Sequence, residues 1–329
     1  MQNTCLKAAK WIFAADPQGE VHDKYFDYKT EFFVSGENAV FLHISVHSNY
    51  AAWINGQFAD CGQLPDYESR QIYDTWEITA WVKSGRNTLN ITQYVAGRAF
   101  STGRPAVPAV IFEVWQGQTL LAARDGKTLS GPNLRYASLK EEISGQCGYN
   151  CAYDATAPDT VFAPSVLAEK PKNLLARPIK KVEVGALVTA ALMTQGVFLE
   201  QDKTDVKSRR MQTAYLSTML RQDLIAGKQT ASRWAGDSLT HTDLCWQIPE
   251  SQKADGAYFL FDLGSEYAGF LDLEMETEEP VEVLIGYGEH LQDLRVRSNV
   301  HNRHFCFGFQ AKPGKNRFFH PLQRIAGRY

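Results

Sequence analysis

Val40-Phe41-Leu42-His43-Ile44-Ser45-Val46-His47, followed by Tyr50-Ala51-Ala52-Trp53-Ile54-Asn55-Gly56-Gln57-Phe58, is the stretch that decides the fold. In its first half Val40, Leu42, Ile44 and Val46 alternate with Phe41, His43, Ser45 and His47. A period of two sends alternate side chains to opposite faces of a sheet, so one face is core. The second half is another strand that stops at Asn55-Gly56. That dipeptide tolerates positive φ at both turn positions, so it predicts a tight hairpin with Gln57-Phe58 starting the return strand.

The same grammar continues outward. Trp81-Val82-Lys83-Ser84-Gly85-Arg86-Asn87 is a polar turn feeding Thr88-Leu89-Asn90-Ile91-Thr92, and further strands are predicted over Val107 to Trp115 and Leu120 to Ala123. Short strands separated by turn signals at this spacing predict a sandwich. Upstream, Lys7 and Lys10 precede Trp11-Ile12-Phe13-Ala14-Ala15. This apolar run is shorter than the roughly 7–15 residues of a secretory h-region, so it reads as the first strand.

Pro164, Pro171 and Pro178 punctuate residues 164–181 and block both helix and interior strand, which predicts a linker or extended crossover. Beyond it, Met211, Tyr215, Leu216, Met219, Leu220 and Leu224 make one helical stripe ended by Gly227. Tyr258 to Leu263 is an apolar strand. Leu271, Leu273 and Met275 alternate with acidic residues, and Val281, Val283, Ile285 and Tyr287 repeat the alternation, predicting a hairpin across Glu278-Glu279. His304 to Phe309 and Arg317 to Phe319 predict another around Pro313-Gly314. The chain ends at Tyr329 without a polar tail, which reads as a cut end. The expected class is mainly β, two β-sandwich (jelly-roll, galactose-binding-like) domains in tandem with little helix. The boundaries are 1–165, a linker at 166–184, and 185–329.

Composition bounds the functions available. The chain has 329 residues, 44% of them hydrophobic and 22% charged, and a net charge of -3. That charge gives no electrostatic case for nucleic acid or an anionic membrane. No apolar run approaches the roughly 18 residues of a spanning helix, and a cytoplasmic location is expected. Six scattered cysteines suit reduced thiols, and Cys147 with Cys151 lacks the second ligand pair of a zinc site.

Several segments resemble the N-terminal β domains of bacterial α-L-rhamnosidases of the glycoside hydrolase family 78 type. Lys10-Trp11-Ile12-Phe13-Ala14 is similar to the family's first strand. Tyr50 to Gly56, Tyr73-Asp74-Thr75-Trp76-Glu77-Ile78-Thr79 and Gly85-Arg86-Asn87-Thr88-Leu89 resemble its galactose-binding-like domain, a pattern shared with β-galactosidase-type enzymes. Phe261-Asp262-Leu263-Gly264, Tyr267-Ala268-Gly269-Phe270 and Gly286-Tyr287-Gly288-Glu289-His290-Leu291 resemble the domain leading into the catalytic barrel. Phe318-Phe319-His320-Pro321 through Gly327-Arg328-Tyr329 resembles the strand before it. The likeness weakens across 185–255.

The resemblance implies a catalytic α/α barrel downstream, where two carboxyl groups roughly 6.5–9.5 Å apart perform inverting hydrolysis. This sequence stops before any such barrel, so it carries no family catalytic residue and is expected to be inactive alone. Its expected partners are that barrel and rhamnose-containing glycans.

For sugar contact the candidates are Trp53, Asp66, Arg70 and Tyr73, since aromatic faces meet a ring's C–H surface and planar polar groups meet its hydroxyls. The competing reading makes Trp53 and Tyr73 packing residues and Asp66 with Arg70 a solvated pair. Glu289 reads as a turn carboxylate accepting backbone N–H bonds. Gly286-x-Gly288 lacks the rest of a dinucleotide motif. His301, His304 and Cys306 lack a second ligand cluster, and the basic run from Arg295 to His304 reads as a solvated loop. No cofactor and no metal are expected. Two rival readings stay open, a free-standing carbohydrate-binding module and the front end of a β-galactosidase-like enzyme.

Overall fold

The computed structural model describes residues 6–14, 21–63, 70–101, 103–105, 107–123, 127–138, 142–169, 173–198, 256–292, 295–300 and 303–329. Its described residues are mainly β. The helical stripe over 211–224 lies outside them. Two compact units are distinguished: residues 1–140, 145–184 and 319–323 form one, and residues 141–144, 185–318 and 324–329 the other.

The first unit is a sandwich. Its strands are β1 (Ile12–Phe13), β2 (Lys24–Val34), β3 (Val40–Val46), β4 (Asn49–Ile54), β5 (Gln57–Gln63), β6 (Gln71–Glu77), β7 (Gly85–Val95), β8 (Val110–Gln116), β9 (Thr119–Ala123) and β10 (Leu129–Pro132). One sheet runs Ala163–Pro164, β10, β2, β7, β4, β5; the other runs Val166–Leu167, β1, β8, β3, β6, Leu174–Ala176, with β9 added to β8. Between them Phe26, Tyr28, Ile54, Leu89 and Ile91 of the first meet Leu42, Ile44, Phe112 and Val114 of the second. The alternating set Val40, Leu42, Ile44 and Val46 is therefore the core set. The β4–β5 turn has φ of 53° at Asn55 and 80° at Gly56, the pair of left-handed residues that the sequence requires there.

The turn before β7 is held by one side chain. Asn87 Oδ1 accepts from Lys83 N at 2.9 Å, and its amide donates to the carbonyls of Lys83 and Gly85 at 2.7 and 3.0 Å.

The proline-spaced segment becomes part of this sandwich. Val166–Leu167 pairs antiparallel with β1, and Leu174–Ala176 pairs parallel with β6. These are the two opposite edges of one sheet. On the face of this sheet turned away from the sandwich core lies a second apolar cluster of Leu6, Ala9, Trp11, Tyr73, Ala109 and Ile111, with Ala168 and Leu174 packed on it. Glu113 on β8 fixes the N-terminal stretch to the same face. Its fully buried carboxylate accepts from the backbone of Leu6, Ala8 and Ala9 at 2.8–2.9 Å and from Trp115 Nε1 at 2.8 Å. Four N–H donors satisfy a charge that burial would otherwise make very costly.

In the second unit the predicted strands form but the hairpins do not. Asp272–Thr277 pairs with Gly314–Phe319, and Val281–Gly286 pairs antiparallel with Cys306–Ala311. The connections at Glu278-Glu279-Pro280 and Pro313-Gly314 thus pass from one ladder to the other. Phe318 of one ladder stacks on Phe309 of the other at 5.2 Å and meets Phe307 at 6.4 Å. Facing the ladders buries both aromatic rows, which side-by-side hairpins would leave wet on one side. Asn316 repeats the role of Asn87, bonding Lys312 N, Lys312 O and Gly314 O at 2.7–3.0 Å. Ala191–Phe198 pairs with Gly256–Asp262, and Tyr267–Gly269 with Ile325–Gly327.

Candidate functional site

Of the four residues expected to meet sugar, Trp53 and Tyr73 are not brought together. On β4, Ala52 and Ile54 are core, so alternation turns Trp53 to the outer face of its sheet. There its ring lies edge-on to Phe58 at 6.1 Å, and Phe58 lies edge-on to Phe319 at 5.0 Å. Tyr73 sits on the other sheet, buried with Trp11 in the second apolar cluster. Arg70 is exposed at the start of β6. Asp66 lies outside the described residues. Trp53 and Tyr73 thus face away from each other on opposite sides of the sandwich.

A different cluster assembles at the open side of the sandwich, where β5 and β6 approach. The β4–β5 register slips between Ala52 and Trp53, leaving Ala59 as the extra residue, and such bulges re-aim the side chains beside them. Tyr50 stacks on Trp76 at 5.5 Å, with planes 19° apart. Its hydroxyl donates to Asp74 Oδ2 at 2.7 Å. Burial first and the Asp74 charge second push the Tyr50 pKa well up, so the phenol stays a donor. The close approach demands Gly62, because a Cβ there would lie 2.1 Å from the Tyr50 ring.

Two basic residues that follow Leu174–Ala176 complete the cluster. Arg177 forks onto Asp74, Nε to Oδ1 at 2.5 Å and an Nη to Oδ2 at 3.0 Å. Lys181 Nζ pairs with Asp60, donates to the carbonyl of Cys61 at 2.5 Å, and stands 4.5 Å from the Trp76 ring centroid. Beside these groups a cleft of about 200 Å3 is lined by Ala59, Asp60, Trp76, Glu77, Ile78 and Trp81. Trp81 Nε1 donates to Phe58 O at 3.2 Å, and Glu77 Oε1 accepts from Thr79 Oγ1 at 3.0 Å. No motif announces this cleft in the sequence. The one readable signal is the Tyr73-to-Thr79 block with its Trp76-Glu77 pair.

Chemically the cleft suits binding better than bond cleavage. The Lys181 ammonium already engages Asp60, and the Thr79 hydroxyl engages Glu77. Among the described residues, no group of three His, Cys, Asp or Glu side chains converges as a metal site would. Among the described cysteines, Cys61, Cys151 and Cys306 are buried and Cys147 is exposed. No helix among the described residues is long and apolar enough to cross a membrane.

The chain matches no protein-family model and no curated protein sequence. Among solved structures it is similar to the family 78 rhamnosidase of Bacillus sp. GL1, with a TM-score of 0.75 and 13% identity over 98% of this chain and 52% of that one. It is also similar to the α-L-rhamnosidases of Dictyoglomus thermophilum (TM-score 0.57, 14% identity) and Aspergillus terreus (TM-score 0.61, 16% identity). Each of these matches covers 98% of this chain and about a third of the other, 33% and 34%. The chain therefore has the fold of a stretch of these enzymes and spans about half or less of their length.

Proposed function

We propose that this chain is the β-sandwich region of an α-L-rhamnosidase-type glycoside hydrolase, bracing a catalytic domain that other residues supply. The observation that carries it is the extent of the match, 98% of this chain on 52% of the Bacillus enzyme at a TM-score of 0.75. At 13% identity that likeness speaks for fold, and fold alone does not fix function. The residue blocks around Tyr50, Tyr73, Phe261 and Gly286 add sequence support along the same stretch. In this reading a glycosidic bond would be cut by carboxylates outside this chain, with the sandwich as scaffold and sugar-binding surface.

The test has two arms. The complete reading frame that carries this sequence hydrolyses aryl α-L-rhamnosides, and this chain alone does not. Rhamnoside hydrolysis by this chain, or galactoside rather than rhamnoside hydrolysis by the complete protein, would overturn the proposal. A second reading, a carbohydrate-binding module, is favoured by the tryptophan-lined cleft. Titration of this chain with free sugars tests it.

A further inference from the structure

We infer that Asn55-Gly56 is a site of spontaneous covalent modification, deamidation, whose rate the fold sets by clasping the Asn55 side chain. It is the one Asn-Gly pair in the sequence. Glycine has no Cβ to shield its backbone nitrogen, so the nitrogen of Gly56 can reach the Asn55 carboxamide carbon. Solvent hydroxide takes the Gly56 amide proton, and the nitrogen forms a bond to Cγ. The Cγ–Nδ2 bond then breaks and ammonia leaves, closing a five-membered imide. Water opens the imide at one or the other carbonyl, giving aspartate or isoaspartate. Both residues are exposed at the β4–β5 turn, so water and hydroxide have access.

In the folded chain that carboxamide is engaged elsewhere. Its Nδ2 donates to the carbonyl of Trp81 at 3.0 Å and to Asn87 Oδ1 at 2.8 Å, and its Oδ1 accepts from Thr88 N at 3.1 Å. The anchors are themselves fixed. Asn87 is 1% exposed and directs its own amide to the carbonyls of Lys83 and Gly85. Trp81 closes the single 3-10 turn Thr79–Trp81, and its ring N–H donates to Phe58 O on the return strand. These side-chain bonds must break before Cγ can swing onto Gly56, which slows the first step in the folded chain and not in the unfolded one. The reaction in turn undoes the clasp. A carboxylate has no N–H to give, so it would face Trp81 O and Asn87 Oδ1 oxygen against oxygen. Isoaspartate also lengthens the turn by one backbone atom. The intact amide and the intact turn at 81–88 thus preserve one another.

The test incubates the whole chain in mildly alkaline buffer, folded and in urea, and follows deamidation by peptide mapping with mass spectrometry. Modification at Asn55 is expected to run at least about tenfold faster in urea. In folded Asn87→Ala the clasp loses one anchor while the turn stays Asn-Gly, and the Asn55 rate rises about threefold or more over the folded wild type. Equal rates folded and unfolded, or no modification at Asn55 in urea, would overturn the inference. So would a folded Asn87→Ala that keeps the wild-type rate.

Should Asn87→Ala fail to fold, Asn55→Asp decides. Asp-Gly suits this turn as Asn-Gly does, so the substitution removes the donor and keeps the backbone. Its urea midpoint is expected below that of the wild type at neutral pH. The gap narrows in acid, where a protonated carboxyl regains one O–H donor. A midpoint equal to the wild type's at neutral pH would show that the clasp contributes nothing, and the inference would fall. Neither arm touches the scaffold reading, which the rhamnoside assays decide separately.

Discussion

Among the described residues, three aspartate–arginine forks share one geometry, one in the first unit and two in the second. Arg177 on Asp74, Arg328 on Asp262 and Arg317 on Asp272 each make two N–H···O bonds of 2.5–3.0 Å. Their surroundings differ. The Asp74 and Arg177 side chains are 7% and 14% exposed, against 17% and 40% for Asp262 and Arg328, and 19% and 57% for Asp272 and Arg317. The buried fork also carries a third partner, the Tyr50 hydroxyl. Identical contacts therefore predict different energetics, because water competes at the second unit's forks and is excluded from the first's.

The largest expected effect breaks the buried fork. Asp74→Ala strands the Arg177 guanidinium and the Tyr50 hydroxyl and should destabilise the first unit by about 3–5 kcal/mol, read as a lowered urea midpoint. A loss below about 1 kcal/mol, as at an open fork, would erase the contrast between the units.

Acid should also act on the first unit, through His320. Burial pushes its pKa down to about 3, whereas the unfolded chain titrates near 6.5. Below pH 6.5 the unfolded state binds the proton that the folded state refuses. Stability is then lost as pH falls toward 3, with a slope approaching about 1.4 kcal/mol per pH unit. His320→Gln should flatten that slope in a pH series of melting curves.

Gly62→Ala drives a methyl group into the Tyr50 ring and should cost about 1–3 kcal/mol by overpacking, on the same urea assay. Smallest is Asp272→Ala in the second unit, under about 1 kcal/mol and smaller still in molar salt. An Asp272→Ala loss equal to that of Asp74→Ala would show that the open forks are shielded after all. At Asp262 the Arg328 hydrogen bonds hold the pKa below the usual aspartate range. Its modest contribution is therefore present above that range and fades as pH falls through the lowered value.

What was legible in the sequence follows from what is local. The alternation from Val40 to Val46 named the core face, and Asn55-Gly56 named a turn whose φ values are its own property. The Lys-x-Gly-x-Asn turns at 83–87 and 312–316 are largely local, since each asparagine bonds the lysine and glycine of its own turn, although Asn87 also accepts from Asn55 at 2.8 Å. Strand partners were less legible. Pro280 and Gly314 mark where the chain reverses, but not whether it returns beside its neighbour or crosses to a facing ladder. That choice was made by Phe307, Phe309 and Phe318, which meet only after folding. The sugar candidates went the same way. Trp53 and Tyr73 are close in sequence and part company because β4 and β6 belong to different sheets. The cleft residues Asp60, Trp76 and Trp81 were hidden, because a one-residue bulge and a distant lysine bring them together.

Residues 319–323 belong to the first unit, where His320 and Leu322 are buried and Asn49 donates to the Leu322 carbonyl at 2.8 Å. During synthesis, then, the sandwich that starts near Trp11 must wait for a piece of itself made some three hundred codons later. Until the ribosome delivers it, Phe58 and Tyr136 lack their partners Phe319 and His320. A nascent chain arrested before Phe319 should consequently be a better client for chaperones than its length alone would suggest.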